Sequence, residues 1–227
     1  SAAALIQDRK VLRYIGKKYI TARREMGFLV PSKGYEYATI KGHKCAIIVG
    51  DDLSRERDFD QSVETVISIN ARKYGKGTMT YRYEMMRNLA FVESKNLVLV
   101  NQVGGSTDIV YDGTSGALNS RGELVLMMKN FEEDFQIFDT KASARPITIP
   151  STYNDRTRLV YEAARCGLRD FFRKNGYRKA SIGLSGGIDS AVVASIAADA
   201  LGAENVRALL MPSPFSSLES VEDAKEL

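Results

Sequence analysis

Between residues 183 and 190 the chain reads Gly-Leu-Ser-Gly-Gly-Ile-Asp-Ser. Two adjacent glycines, two hydroxyls and a carboxylate at this spacing have the makings of an anion site. Glycines at 186 and 187 let the backbone come close to an anion and adopt conformations closed to other residues. Ser185 and Ser190 add hydroxyl donors. Asp189 would by itself repel a phosphate, and a magnesium ion between the two resolves the conflict. A bare Gly-Gly would read as a tight turn with an N-capping serine. Here a strand precedes the glycines and an alanine-rich helix follows, whose free N–H groups and dipole face the same anion. The Gly-Lys-Ser ending of a Walker A loop is absent.

The elements that must position this loop follow from pattern. "RTRLVYEAARCGLRDFFRKNGY" is an amphipathic helix on which Leu159, Tyr161, Ala164, Leu168 and Phe172 share a face, and Asn175-Gly176 ends it. Strand "KASIGL", the loop, helix "SAVVASIAADAL", strand "VRALLM" and the loop "PSPFSSLES" come next, and "VEDAKEL" starts a further helix. This α-β-loop-α-β-loop-α order opens a parallel, doubly wound sheet, which holds ligands at the carboxyl ends of its strands. So short a segment cannot cover both faces of such a sheet and reads as incomplete, needing more chain or a partner.

The first half is richer in strands. "AAALIQDRKVLRYIGKKYI" reads as two strands about a turn at Asp8-Arg9-Lys10. "EYATIKGHKCAIIVGDD" repeats the form, with a turn at Gly42-His43 and an apolar strand Cys45–Val49. "DQSVETVISINA" is expected to hold a short helix leading into strand Thr65–Ile69, and "YRYEMMRNLAFVESKN" a helix with Tyr81, Met85, Leu89 and Val92 on its apolar face. Leu97–Val100 is a buried-type strand. "IVYDGTSGALNSRGELVLMM" forms two strands about a glycine- and asparagine-rich turn, and "EDFQIFDTK" alternates like a strand. Ala142–Asp155, with two prolines and small polar residues, is the linker, dividing the chain into expected domains 1–145 and 146–227.

Composition sets the bounds. Of 227 residues 44% are hydrophobic and 26% charged, an ordinary globular balance. A net charge of +4 does not point to nucleic acid. No apolar run approaches transmembrane length and no signal peptide is visible, so no membrane is expected. Cys45 and Cys166, without CxxC spacing, read as reduced buried thiols in a cytoplasmic protein. The single histidine, His43, cannot build a His-rich metal site and reads as a solvated turn residue.

"GLSGGIDSA" resembles the PP-loop of the N-type ATP pyrophosphatases, and the stretch from Gly167 to Leu227, with its tail "MPSPFSS…S…DA", resembles the NAD synthetases. That resemblance implies a ligase that adenylates the nicotinate carboxylate of deamido-NAD with ATP and lets ammonia displace AMP. Gly183, Leu184, Ser185, Gly186, Gly187, Ile188, Asp189 and Ser190 would cradle the ATP phosphates. Asp189 would hold magnesium, and Met211, ending the next strand, would lie near the adenine. Met211 alone reads as core.

The first half resembles the nitrilase-type glutaminase domain that many NAD synthetases carry, through "LVLVNQVGGSTDIVYDGTSGALNSRGELV", "SINARKYGKG" and the hairpin that ends in Lys17. The fold so implied is α/β, a partial nitrilase-like αββα sandwich lacking its N-terminal part, followed by the start of a doubly wound parallel sheet lacking its C-terminal part. A homo-oligomer is implied as well. Nitrilase-type chemistry needs a cysteine nucleophile, a glutamate base and a lysine that stabilises the oxyanion. Lys17 matches the lysine. The nucleophile position is Gly50, which cannot be acylated, and Asp51 replaces the glutamate that usually follows. Cys45, an odd number of residues earlier, faces the opposite side of its strand. Arg72 and Arg23 replace a serine and a tyrosine that hold glutamine, Lys76 matches a substrate-side lysine with altered spacing, and the segment that carries the base is missing. Without a nucleophile Lys17 reads as a solvated lysine beside Lys18, and "YDGTS" and "NQVGG" as scaffold turns. The expectation is a NAD synthetase-type ligase that takes ammonia and not glutamine, catalytically incomplete as this chain alone. Two alternatives are a non-catalytic nucleotide-binding or scaffold protein and, more remotely, a nitrilase-class amidohydrolase.

Overall fold

The computed structural model describes residues 2–20, 26–54, 58–141, 145–153, 155–212 and 217–226. It divides into two compact units. One is Ser1–Val103 with Tyr111–Pro150, the other Gly104–Val110 with Ser151–Leu227.

The first unit is built on a six-stranded sheet. Its strands are β3 (Glu36–Ile40), β4 (His43–Val49), β5 (Thr65–Asn70), β6 (Asn96–Asn101), β9 (Gly116–Leu118) and β10 (Leu124–Met127), in the order β10-β9-β6-β5-β4-β3. The central pairs β4–β5 and β5–β6 are parallel and the rest antiparallel. Parallel central strands are buried on both faces, which explains the unbroken apolar run Cys45–Val49. Helix α1 (Thr78–Glu93) covers one face, where Leu99 and Gly116 are paired and a Cβ on Gly116 would stand 2.9 Å from the Tyr83 hydroxyl. On the other face lies a separate hairpin of β1 (Ala2–Gln7) and β2 (Lys10–Gly16), whose Ile15 packs with Ala38, Cys45 and Ile47, and Ala3 and Leu5 add to the cluster. Asp8 and Arg9, both at positive φ, make its turn.

Several expectations are corrected. Residues 60–63 are a turn and not a helix, because Asp60 Oδ1 accepts from both the backbone N–H and the hydroxyl of Ser62. Residues 133–141 form no strand; Asp134 accepts from the Lys129 and Phe135 N–H groups and folds the segment on itself. On α1 the buried residues are Met79, Arg82, Tyr83, Met86, Leu89 and Ala90, whereas Tyr81 and Val92 are exposed. His43 opens β4 and its Nδ1 lies 3.0 Å from Glu64 Oε2, so it is a strand residue with an acidic partner. The expected linker is not free along its length, since the Ile147 N–H donates to Leu124 O on β10.

The second unit carries α2 (Arg156–Asn175), β11 (Ala180–Leu184), α3 (Ile188–Leu201), β12 (Val206–Leu210) and α4 (Leu218–Glu226). β11 and β12 pair in parallel and end together at Leu184 and Leu210. Asp155 caps α2 by accepting from the Arg158 N–H, and Gly176 closes it at φ +72°. The buried residues of α2 are Ala163, Cys166 and Asp170; Ala164 is exposed, against expectation. Asp170 Oδ2 accepts from the Gly105 N–H at 2.8 Å, and a Cβ on Gly105 would stand 3.0 Å from Gly167 Cα. Gly104 and Gly105 are thus packed within this unit, while Ser106–Asp108 are exposed. These residues lie in the hairpin of β7 (Val103–Ser106) and β8 (Ile109–Asp112).

Candidate functional site

In the second unit the loop Ser185–Gly187 leaves β11 and enters α3, with Gly187 as the helix N-cap. Two hydroxyls hold its shape. The Ser185 N–H donates to Ser190 Oγ at 3.2 Å, Ser190 Oγ donates to Gly187 O at 2.8 Å, and the Gly187 N–H donates to Ser185 Oγ at 3.3 Å. The serines expected as phosphate donors therefore also brace the loop. Gly187 has an ordinary φ of −85°, so only Gly186, at φ +79°, needs a glycine for its backbone conformation.

Asp189 is exposed in the first turn of α3, and Ile188 beside it is exposed as well. Among the described residues no group of three or more histidines, cysteines or acids is placed to hold a metal. A lone carboxylate suits magnesium held jointly with phosphate oxygens and water, and not a closed protein cage. Beside the loop, Leu184, Ser185, Leu210, Met211, Pro212, Ser217 and Ser220 border a cleft of about 410 Å³. Gly183 leaves room for the Met211 side chain, whose Cε would stand 3.0 Å from a Cβ there. Met211 is exposed at the cleft and not core.

The first unit brings Lys17 and Gly50 together. Gly50 follows β4 at φ +65°, and a Cβ on it would stand 3.4 Å from Lys17 Cε and 3.5 Å from Lys17 Nζ. Lys17 is only 6% exposed, which corrects the reading of it as a solvated lysine. Asp52, not singled out in the sequence, holds it there. This buried carboxylate accepts the Lys18 N–H at 2.7 Å and the Tyr19 N–H at 2.8 Å, and the Ser32 N–H donates to Lys17 O. Its signal in the sequence is the acid pair of "GDD" directly after the strand. Arg72 meets Asn101, whose Oδ1 accepts the Arg72 N–H at 2.9 Å, and Lys76 is exposed in the turn ahead of α1. Cys45 lies in the Ile15 cluster, with burial pushing its thiol pKa up. Arg23 and tail residues 213–216 lie outside the described residues.

A second buried network, also missed, lies near the ends of β5 and β6. Arg82 pairs with Asp112 through two bonds of 3.0 and 2.9 Å, and Asn101 Nδ2 donates to the same carboxylate. It lies among "YDGTS" residues and makes them scaffold.

Known proteins match both regions of the chain. The NAD synthase family matches residues 160–227, which contain the Ser-Gly-Gly loop and the whole cleft. The chain is 35% identical to a glutamine-dependent NAD(+) synthetase of Synechocystis sp. over 85% of its own length and 38% of that protein's. It is 32% identical to that of Acinetobacter baylyi over 100% of its length and 43% of the relative's. Residues 160–227 thus match the NAD synthase family, and the chain as a whole is similar to part of these synthetases. A solved glutamine-dependent NAD+ synthetase of Acinetobacter baumannii, in complex with ADP, superposes with a TM-score of 0.83 at 31% identity, covering 99% of this chain and 44% of that one. The synthetase of Cytophaga hutchinsonii shares the fold at a TM-score of 0.76 and 14% identity, over 99% of this chain and 46% of that one. The chain spans about two fifths of the length of these curated NAD synthetases. Among the described residues no helix is long and apolar enough to cross a membrane.

Proposed function

We propose that the second unit holds ATP with magnesium in a NAD synthetase-type ligase reaction, and that glutamine hydrolysis is lost from the first. The observation that carries the reading is the glycine loop between β11 and α3, which opens on a cleft inside the segment that the NAD synthase family matches. The α3 dipole and the N–H groups of its first turn favour the pyrophosphate portion of ATP. The Ser185–Ser190 hydroxyl pair holds the loop in shape before ligand arrives, so little ordering is paid on binding. Asp189 would hold magnesium, which would supply charge neutralisation for the phosphates.

In the reaction a carboxylate oxygen of deamido-NAD attacks the α-phosphorus of ATP and pyrophosphate leaves. Ammonia nitrogen then attacks the activated acyl carbon, loses a proton and expels AMP. In the first unit, Lys17 retains a place beside position 50, where an oxyanion would form, but Gly50 offers no atom to be acylated. Ammonia must therefore come from solution. The test is calorimetry of ATP–magnesium on the chain, with assay of deamido-NAD amidation supplied with ammonium or glutamine. Binding of ATP–magnesium with a micromolar-range constant is expected. Turnover with glutamine as efficient as with ammonium would overturn the loss of the glutaminase. Release of pyrophosphate from ATP would favour a ligase over a nucleotide-binding protein.

A further inference from the structure

Three glycines of the loop region differ in what fills the space a side chain would take. At Gly183 it is the free end of Met211, and at Gly187 it is Ser185 Oγ at 3.3 Å. At Gly186 it is backbone. A Cβ there would overlap Ser220 O and stand 2.7 Å from Ser220 C and 2.8 Å from Ser220 Cα. A helix backbone cannot swing aside as the end of a methionine does. The bare face of Gly186 is thus taken up by α4.

The start of α4 is tied down on its own side. Ser217 Oγ accepts the Ser220 N–H at 3.1 Å and donates to Ser220 Oγ at 2.8 Å, and the Val221 N–H donates to Ser217 O. Ala224, one turn on, is buried. Ser217, Ser220, Val221 and Ala224 form one side of the cleft that Leu184, Ser185, Leu210 and Met211 complete. Without α4 the cleft would be an open strand end.

We propose that Gly186 is a positioning residue for α4, seating the helix that walls the nucleotide cleft, so that seating of α4 and nucleotide binding are linked. This rests on the ATP reading of the cleft. Linkage is reciprocal: a ligand that needs the wall orders α4, and a substitution that unseats α4 weakens the ligand.

The experiment is hydrogen exchange and ATP–magnesium calorimetry on the full chain, comparing wild type with Gly186→Ala, Gly186→Asn and Gly187→Ala. Asparagine tolerates positive φ but still carries a Cβ, so it separates contact with Ser220 from backbone strain. Both Gly186 variants should speed exchange of the α4 amides by about tenfold or more and weaken ATP–magnesium by a similar factor, with α2 unchanged. Gly187→Ala should leave α4 exchange as in wild type, and ATP–magnesium should slow α4 exchange in the wild-type chain. The proposal is overturned if Gly186→Asn leaves α4 exchange at the wild-type rate, or if α4 loosens while ATP binds as before. Failure of the wild-type chain to bind ATP–magnesium would overturn the nucleotide reading instead, and the ligand-free exchange rates would still decide whether Gly186 seats α4.

Discussion

Lys17 Nζ lies 3.5 Å from the point where a Cβ on Gly50 would stand, so the lysine faces a position that holds no reactive atom. A thiol placed there would have a lysine nitrogen as its neighbour, and a nearby positive charge favours the thiolate. Gly50→Cys should therefore be alkylated by iodoacetamide at neutral pH at least about tenfold faster than Cys45 or Cys166. Because Gly50 sits at φ +65°, the same substitution should lower stability by about 1–3 kcal/mol. Peptide mapping after timed alkylation reads the first effect and urea unfolding the second. Equal labelling of the three thiols would contradict the juxtaposition.

Asp52 should prove to be the anchor of the Lys17 segment. Asp52→Ala leaves the Lys18 and Tyr19 N–H groups without their acceptor, at a cost of about 1–3 kcal/mol. Trypsin should then cut after Lys17 or Lys18 faster than in wild type. Unchanged cleavage kinetics there would show that other contacts hold the segment.

The Arg82–Asp112 pair is almost wholly buried, with side chains 1% and 3% exposed. Arg82→Met strands a buried carboxylate and should cost about 3–5 kcal/mol in urea unfolding. The double substitution Arg82→Met with Asp112→Asn should cost less than that single change, because it removes the uncompensated charge. A double variant less stable than Arg82→Met would mean that the pair acts through something other than mutual charge compensation.

Burial raises the thiol pKa values of both Cys45 and Cys166 above the ordinary 9.0. Both should resist alkylation in the folded wild-type chain at neutral pH and react on unfolding. The linkage has a definite sign. A raised folded pKa gives stability that is whole below about pH 9 and is lost as pH rises through the folded values, because the unfolded chain sheds its thiol protons first. The urea midpoint should fall as pH rises above about 9, and that fall should be smaller in a chain whose two cysteines are replaced by alanine.

What could be read from the residues alone was what depends on neighbours in sequence. The turn at Asp8-Arg9, the parallel strands rich in β-branched residues, the cap at Gly176 and the strand–glycine loop–helix at Gly183–Ser190 all rest on local conformation, and local sequence specifies it. The periodic face of α1 could not be read this way. Arg82 is buried because Asp112, thirty positions on, supplies its counter-charge, and no periodicity within the helix announces that. The alternating segment 133–141 failed for a related reason: Asp134 takes nearby N–H groups, and alternation alone supplies no neighbouring strand.

At the two sites the division is sharper. Sequence alone determined that position 50 has no side chain and that a glycine pair precedes α3. Only the tertiary structure decided that Lys17 is buried against the vacant position, held by Asp52, and that Gly186 is filled by Ser220 of α4. Close approach between segments far apart in the chain depends on packing, and a glycine carries no mark of whether its open face meets a ligand, a lysine or a helix.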